Sequence, residues 1–355
     1  MPASPPSSSS PEVSTNTPDY SALCVTITGG TGSFGQTVAR RMLELGAAEV
    51  RIISRDEAKQ DEMRTRFRDR RLHYYLGDVR QRQSLQPAFR GADLVFHAAA
   101  LKQVPSCEFF PEQAVQTNIL GSENVILEAA ACGVKKAVFL STDKAVQPLN
   151  AMGMTKALME KLVQAYARRF RSDGPVLCSV RYGNVLYSRG SVVPLFVDRI
   201  QKNLPLPITA PQMTRFLLPL ELAVGLVEVA LSQGAPGDLF LHKSPAATVA
   251  TVAQALQTLF GKQLPTELIG IRHGEKMHET LATSEEMQVS HDLGEHLRIP
   301  MDQRDIHYAI ASPQRVVATE EAGALTSESA RQLDLAATMA MLQAIPEIRS
   351  QLGLA

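Results

Sequence analysis

The chain has 355 residues, 45% of them hydrophobic and 20% charged, and its 36 basic and 36 acidic side chains cancel. That composition is ordinary for a globular protein, and the length suffices for one large domain or two modest ones, with a sizeable core either way. No global charge excess points to nucleic acid or an anionic membrane, so any anion must be bound by local sites.

Met1 to Tyr20 reads MPASPPSSSSPEVSTNTPDY. It has neither a basic region nor an apolar run, so it reads as a disordered tail and not as a secretory signal. From there to Asn184 strand and helix patterns alternate. Cys24 to Thr28 is a short β-branched run ending at glycines, and Ser33 to Leu45 follows with helical periodicity. Glu49 to Ile53 is the second strand, followed by a charged amphipathic helix over Asp56 to Phe67. His73 to Leu76 is the third strand and Leu94 to Ala98 the fourth. After a loop comes one long helix from Pro111 to Cys132. Ala137 to Leu140 is the fifth strand, Ala151 to Arg169 a helix, and Val176 to Val180 the sixth strand. Continuous apolar strands separated by helices predict a parallel sheet covered on both faces.

Beyond Asn184 the prolines at 194, 205, 207, 211 and 219 break this alternation. A smaller mixed region of helices and short strands is expected to about residue 285. Gly294 to Tyr308 is expected to be irregular, and Asp334 to Leu342 to be a last helix. The expected division is a tail over 1–20, a dinucleotide-binding domain over 21–184 to which later segments return, a substrate-binding region over 185–310, and a helical extension over 311–355. The fold class is therefore α/β, a Rossmann-type doubly wound parallel sheet with a smaller mixed C-terminal region.

The cysteines at 24, 107, 132 and 178 are widely spaced, with no C-x-x-C pair, which suits a reducing cytosol. His273 and His278, like His291 and His296, are five residues apart, a spacing that does not align two ligands on one helical face. No metal is expected. Nor is a membrane span, because there is no apolar run of about eighteen residues.

The chemistry is carried by strand ends. Gly29, Gly30, Thr31, Gly32, Ser33, Phe34 and Gly35 follow a strand and open a helix. That context lets the backbone approach a pyrophosphate at the helix N-terminus. The second strand ends in Ser54, Arg55 and Asp56, where an NAD site usually places a carboxylate on the ribose. Arg55, with Lys59 one turn on, suits a ribose 2′-phosphate instead and favours NADP, although both can also be solvated helix charges. Asp78 is placed to accept from the adenine amino group or to cap the next helix, with Val79 against the ring. Ala98, Ala99 and Ala100 are small where a cofactor must pass, and Lys102 follows in a strand-end loop. The fifth strand ends in Ser141, Thr142, Asp143 and Lys144, with Lys156 in the next helix. Carboxylate, ammonium and hydroxyl groups there suit proton transfer beside a hydride acceptor.

Taken together, the stretches TGGTGSFG, SRDEAKQ, GDVR, HAAALKQVP, TNILGSENV, STDKAVQP, RYGNVLYSRGSVVPLF, MTRF and GIRHGEKMHETL resemble the extended short-chain dehydrogenase/reductases. Within these they resemble the bacterial inverting UDP-N-acetylglucosamine 4,6-dehydratases, over roughly residues 23 to 310. The superfamily's Y-x-x-x-K reads Met152-Gly153-Met154-Thr155-Lys156. Methionine at that place is similar to the capsule and O-antigen branch, whereas the branch that feeds pseudaminic acid synthesis keeps tyrosine. Asp292 to Asp305 also looks like the capsule branch. Two places depart: Gln147 stands where that branch has tyrosine, and Thr326 to Leu333 matches only loosely.

The resemblance implies a cytoplasmic enzyme with tightly bound, recycled NADP. It implies oxidation at carbon 4, loss of water across carbons 5 and 6, return of hydride to carbon 6 and protonation of carbon 5 from the opposite face. The product would be UDP-2-acetamido-2,6-dideoxy-β-L-arabino-4-hexulose for surface polysaccharide. With no tyrosine at 152, Lys144 is the expected base, its proton affinity lowered by Lys156 and the cofactor ring, and Asp143 the acid. Lys156 is expected on the nicotinamide ribose and Thr142 on the substrate. Lys102, Tyr182, Asn184, Arg189, Arg215, Arg272 and Glu275 are the expected substrate-side residues, with Tyr187 near the same loop and Asn118 structural. A homo-oligomer, a hexamer, is expected. The alternatives are the tyrosine-type dehydratase, a galactose-type 4-epimerase and an inactive NADP-binding regulatory protein.

Overall fold

The computed structural model describes residues 19–170, 172–188, 190–302 and 323–354. Six parallel strands lead the main sheet: β1 (Cys24–Thr28), β2 (Glu49–Ser54), β3 (Leu72–Leu76), β4 (Leu94–His97), β5 (Lys136–Thr142) and β6 (Val176–Tyr182). They lie in the order β3-β2-β1-β4-β5-β6, the doubly wound arrangement whose order reverses beside β1. Leu239–His242 then adds a parallel strand to β6. His296–Ile299 pairs antiparallel with it, and His291–Asp292 closes that edge.

Neighbouring residues of one strand enter opposite faces, so both faces must be covered. Val25, Ile27, Phe96 and Val138 pack with Val38 and Met42 of α1 (Ser33–Glu44) and with Val224 and Val227 of the helix Leu220–Gln233. Val95, Ala137 and Phe139 pack on the other side with Val125 and Ile126 of Gly121–Ala131 and with Met159 and Val163 of Ala151–Phe170. Each such phenylalanine, fully buried, contributes about 2–3 kcal/mol. A third apolar cluster joins Val193, Phe196 and Leu217 to Val252 and Leu256, with Leu342 and Ile348 from the C-terminal helices.

Three expectations are corrected. Tyr20 does not belong to a tail: it is 2% exposed in the first core, although its hydroxyl has no partner among the described residues. Residues 1–18 of the expected tail lie outside the described residues. The stretch read as one long helix is Pro111–Ala114, a π-helical segment Val115–Leu120 and Gly121–Ala131, preceded by a further short helix, Val104–Phe109. A π turn inserts one residue without changing the apolar composition, so periodicity alone reads it as α. Finally, His296–Ile299 is a strand with alternating burial and not irregular chain, because Leu297 and Ile299 drop into the cluster under Leu239 and Leu241. The helix expected at Asp334 to Leu342 forms over Leu335–Gln343, its N-terminus capped by Asp334, which accepts from the Ala337 N–H at 2.8 Å, but a further helix, Pro346–Gln351, follows it.

β6 carries a buried cation. Arg181, 3% exposed, forks onto Glu160 at 2.6 and 3.1 Å and onto Glu286 at 2.8 and 3.0 Å. It also donates to the Leu281 carbonyl at 2.8 Å, so one guanidinium ties the helix Ala151–Phe170 to the segment after residue 279. Arg181→Met strands the buried Glu160 and half-buried Glu286 carboxylates and is expected to cost about 3 kcal/mol in urea unfolding. A cost below about 1 kcal/mol would show that water reaches these carboxylates.

Candidate active site at the carboxyl ends of the strands

The glycine loop is shaped by a backbone approach. Gly29 has φ +66°, and a Cβ there would fall 2.7 Å from the Ala99 N, so only glycine lets the loop after β1 meet the end of β4. A Cβ at Gly35 would fall 2.5 Å from the Gly30 Cα, which fixes how closely α1 lies on its strand. α1 opens at Gly32 with no side-chain cap and no acidic residue in its first turn, as suits an anion at its N-terminus. Thr31 and Ser54 share a hydrogen bond of 2.9 Å. Phe34 stacks on Tyr182 with centroids 5.2 Å apart. Ala98, Ala99 and Ala100 are half-buried beside the loop.

Around β2 and β3 the charges are engaged with one another. Asp56 caps the helix α2 (Glu57–Phe67), accepting from the Lys59 N–H at 3.0 Å, and its other oxygen pairs with the Lys59 ammonium. Arg55 is exposed, its guanidinium 3.6 Å from Asp78. Asp78 accepts from Arg80 through both guanidinium and backbone, so the expected helix cap is instead a local turn. Burial raises the Asp78 pKa, but Arg80 outweighs it and the carboxyl ends below its ordinary range. Val79 is buried.

At the end of β5, Thr142 donates to Asp143 at 3.0 Å and the Lys144 ammonium reaches the same Asp143 oxygen at 3.1 Å. Glu279 takes the other side of that ammonium at 3.2 Å. Asp143 is fully buried, and burial together with the Glu279 charge raises its pKa against the pull of Lys144. Burial alone would lower the Lys144 pKa; Asp143 and Glu279 more than reverse this, and it is raised. The expectation of a lowered Lys144 is therefore corrected: two carboxylates hold it as an ammonium. Glu279 is displaced the opposite way from Asp143, because Lys144, Arg215 and Lys276 overcome its burial.

The Lys156 pKa does fall, to about 8, through burial countered by Glu160, and burial lowers that of Lys276 as well. Its ammonium donates to the Leu140 carbonyl at 2.6 Å. Met152 is buried with Cys107, Ala114, Leu101 and Val104, an apolar setting with no proton to exchange. Asn118, from the π segment, exchanges hydrogen bonds with the Leu101 backbone at 2.8 and 3.0 Å and donates to Thr155. It braces the loop after β4 against the helix of Lys156.

On the substrate side, Asn184 and Arg215 line one pocket with Leu186, Leu217, Val249 and Val252. The Asn184 Oδ1 is buried without a hydrogen-bond partner among the described residues, and Arg215 donates to the Thr214 carbonyl at 2.7 Å. Lys102 and Arg272 are exposed, while Glu275 is half-buried and accepts from the Arg272 N–H at 3.3 Å. Tyr182 is 3% exposed with a buried hydroxyl that has no partner among the described residues, and Tyr187 accepts from Gln351 at 2.9 Å. Arg189 lies outside the described residues. Sequence reasoning passed over His97, Lys276, Glu279 and Ser327. Of these, Lys276 and Glu279 stand inside the quoted GIRHGEKMHETL stretch, which was the available signal. No group of three metal-ligating side chains occurs among the described residues, and no helix among them is long and apolar enough to cross a membrane. The glycine approach, the uncapped helix start and the cationic Arg55 fit a dinucleotide phosphate, and buried Lys156 fits its ribose.

Residues 25–301 match the family model described as polysaccharide biosynthesis protein. The UDP-glucose 4-epimerase of Rickettsia canadensis (strain McKiel) is 48% identical over 92% of this chain and 97% of its own. That of Rickettsia felis is 53% identical over 80% and 84%. The solved structure of Pen from Bacillus thuringiensis is 33% identical, with a TM-score of 0.83 over 91% of this chain and 99% of that one. DesIV, a dTDP-glucose 4,6-dehydratase from Streptomyces venezuelae with NAD bound, shares the fold at 21% identity and TM-score 0.66, over 72% and 87%. The chain belongs to the polysaccharide biosynthesis protein family, and it is an enzyme of the nucleotide-sugar dehydratase/epimerase class of extended short-chain dehydrogenase/reductases.

His97, at the end of β4, supplies a pH prediction. It is fully buried between Thr28 at 2.7 Å and Ser122 at 2.9 Å, and burial, aided by Lys156, pushes its pKa from 6.5 to about 3. Below pH 6.5 the unfolded chain gains a proton that the native state refuses. Stability therefore falls by about 1.4 kcal/mol per pH unit, or about 2 kcal/mol by pH 5. His97→Gln should remove that slope in urea unfolding measured from pH 7 to 5; an unchanged slope would mean that His97 is protonated in the fold.

Proposed function

We propose that the chain is an NADP-dependent UDP-N-acetylglucosamine 4,6-dehydratase that inverts carbon 5 and serves surface polysaccharide synthesis in the cytoplasm. The observation that carries the reading is Met152: the residue in the place of the superfamily's tyrosine is apolar and walled into an apolar cluster. Proton transfer then falls to buried Asp143, paired with half-buried Lys144 at the end of β5. Asn184 and Arg215, sharing one pocket, support a substrate-side role together with Lys102, Tyr182, Arg189, Arg272 and Glu275. Large exposed apolar side chains at Phe109, Phe110, Leu120, Met154 and Leu158 support a homo-oligomer, with a hexamer as the proposed form.

Bound NADP supplies the acceptor and then the donor of a single hydride, so it is recycled. Gly29, Thr31, Gly32, Ser33, Phe34 and Gly35 hold its pyrophosphate side, with Ser54, Arg55, Asp56 and Lys59 toward the 2′-phosphate. Asp78, Val79 and Ala98 to Ala100 line its adenine and passage, and Lys156 holds the ribose by the nicotinamide. Asp143, whose proton affinity is raised, takes the proton of the 4-hydroxyl and returns one to the departing 6-hydroxyl. The carbon 5 proton passes to a second base and a proton returns to carbon 5 from the opposite face, while Lys144, kept as an ammonium, faces the negative charge that builds on oxygen 4 in between. Thr142, which donates to Asp143, orients the carboxyl between the two hydroxyls.

A second reading has a specific observation in its favour. Relatives about half identical over nearly their whole length are named UDP-glucose 4-epimerase. A galactose-type 4-epimerase keeps the tyrosine that this chain lacks, which is why dehydration is preferred. Incubation with UDP-N-acetylglucosamine in D2O separates them by proton NMR. The expected result is a new methyl signal, deuterium at carbon 5 and L-arabino geometry. A D-xylo product would remove the inversion, and a 4-epimer with no methyl signal would establish the epimerase.

The cofactor choice has its own test. The dehydratase and epimerase structures from Streptomyces venezuelae and Thermus thermophilus hold NAD, whereas Arg55 suits a phosphate. Arg55→Ala should weaken NADP binding about tenfold or more, as befits a lost charge-assisted hydrogen bond, and leave NAD nearly unchanged in a fluorescence titration. Equal weakening of both would return Arg55 to a surface charge.

A further inference from the structure

We propose that Glu279 is a positioning residue for the Asp143–Lys144 pair, clamping the Lys144 ammonium from the side opposite Asp143 and so holding it in line with the Asp143 carboxyl. The proposal rests on the reading that Asp143 and Lys144 carry out the proton transfer.

The geometry is specific. The Glu279 side chain is 3% exposed and meets Lys144 at 3.2 Å, while Asp143 meets the same ammonium at 3.1 Å. Each carboxylate spends one oxygen on this ammonium. The other oxygens, Asp143 Oδ2 and Glu279 Oε2, are buried without a hydrogen-bond partner among the described residues. A buried carboxylate oxygen left so is costly unless it serves a ligand or a proton. Two of them on one lysine mark a place where protons are exchanged.

Glu279 is also held in place from outside the sheet. Its N–H donates to Ser327 Oγ at 2.9 Å, its carbonyl accepts from the Ser327 N–H at 2.7 Å, and Ser327 is bonded to Thr214 at 2.7 Å. Thr280 follows as a strand paired with Thr326, and Leu281 accepts from buried Arg181. The segment around residue 327, loosely matched to the family pattern, thereby reaches the site through Glu279.

The charged groups that face the trio are Asp143 and Lys144 on the strand-end loop, Arg215 on Thr214–Leu218, and Lys276 on the segment of Glu279 itself. Lys276 lies 4.0 Å from Glu279 and donates to the Val146 carbonyl at 2.5 Å. Three cations thus surround two carboxylates. Glu279 raises the proton affinity of both of its neighbours, so removing its charge lowers both.

The test compares Glu279→Gln with wild type by the pH profile of turnover and by carbon NMR of labelled aspartate carboxyls, with Asp143→Asn assigning the signal. The expected result is a fall in kcat of about tenfold or more with a small change in KM. Both the Asp143 midpoint and the limbs of the profile should move to lower pH by about one unit. Glu279→Asp, which keeps the charge, should restore most of that shift. It also stands in if Glu279→Gln does not fold, its expected outcome then being a near-normal Asp143 midpoint. A slower Glu279→Gln enzyme with unmoved limbs and an unmoved Asp143 signal would reduce Glu279 to packing and overturn the proposal, as would full activity. A shifted Asp143 signal in a protein that does not turn over UDP-N-acetylglucosamine would sustain this inference while the proposed substrate fails.

Discussion

The ammonium of Lys144 between two buried carboxylates is the interaction on which the rest of the site depends. Each of these ions has given up water, and such desolvation is tolerated only when charge and hydrogen bonds are returned in good geometry. The three residues come from places far apart in sequence: the end of β5 and a segment beginning at Lys276. Ser327, bonded to both Glu279 and Thr214, adds the C-terminal part of the chain to the same assembly. A site at the mouth of a parallel sheet is in this way closed by residues that do not belong to that sheet's first six strands.

The same trio separates the two carboxylates chemically. Asp143 has its pKa raised and Glu279 has its pKa lowered, with one lysine shared between them. Asp143, the one pushed up, is suited to take and return a proton, while Glu279 stays an anion that holds Lys144. Met152 leaves that exchange to Asp143, since a buried thioether among Cys107, Ala114 and Leu101 has no proton to give. Arg181 adds a second buried ion cluster, linking the helix that carries Lys156 to the strand that follows Glu279.

Much of this was legible in the sequence where local signals and tertiary demands agree. The six strands and the helices at Ser33, Glu57 and Ala151 follow from apolar runs and periodicity, because a sheet covered on both faces requires them. Gly29 was readable from its motif, and the 2.7 Å approach of a built Cβ to Ala99 gives the reason. What was not legible depended on distant pairing. The strand at His296 needs its neighbour at Leu239, and Tyr20 needs the core beneath it. The π turn at Val115–Leu120 leaves no trace in composition. Lys144 was read as a depressed base on the strength of Lys156 and the cofactor's positive ring; Asp143, joined by Glu279 from far along the chain, reverses the sign.

The central claim is that one hydride leaves carbon 4 and returns to carbon 6 of the same UDP-N-acetylglucosamine. The most direct measurement uses substrate deuterated at carbon 4, with the product followed by deuterium and proton NMR and by mass. The account predicts that the label appears in a CH2D group at carbon 6, within the molecule that lost it. Label retained at carbon 4 of a sugar whose 4-hydroxyl has inverted would contradict the account and make the chain a 4-epimerase like the rickettsial relatives in name.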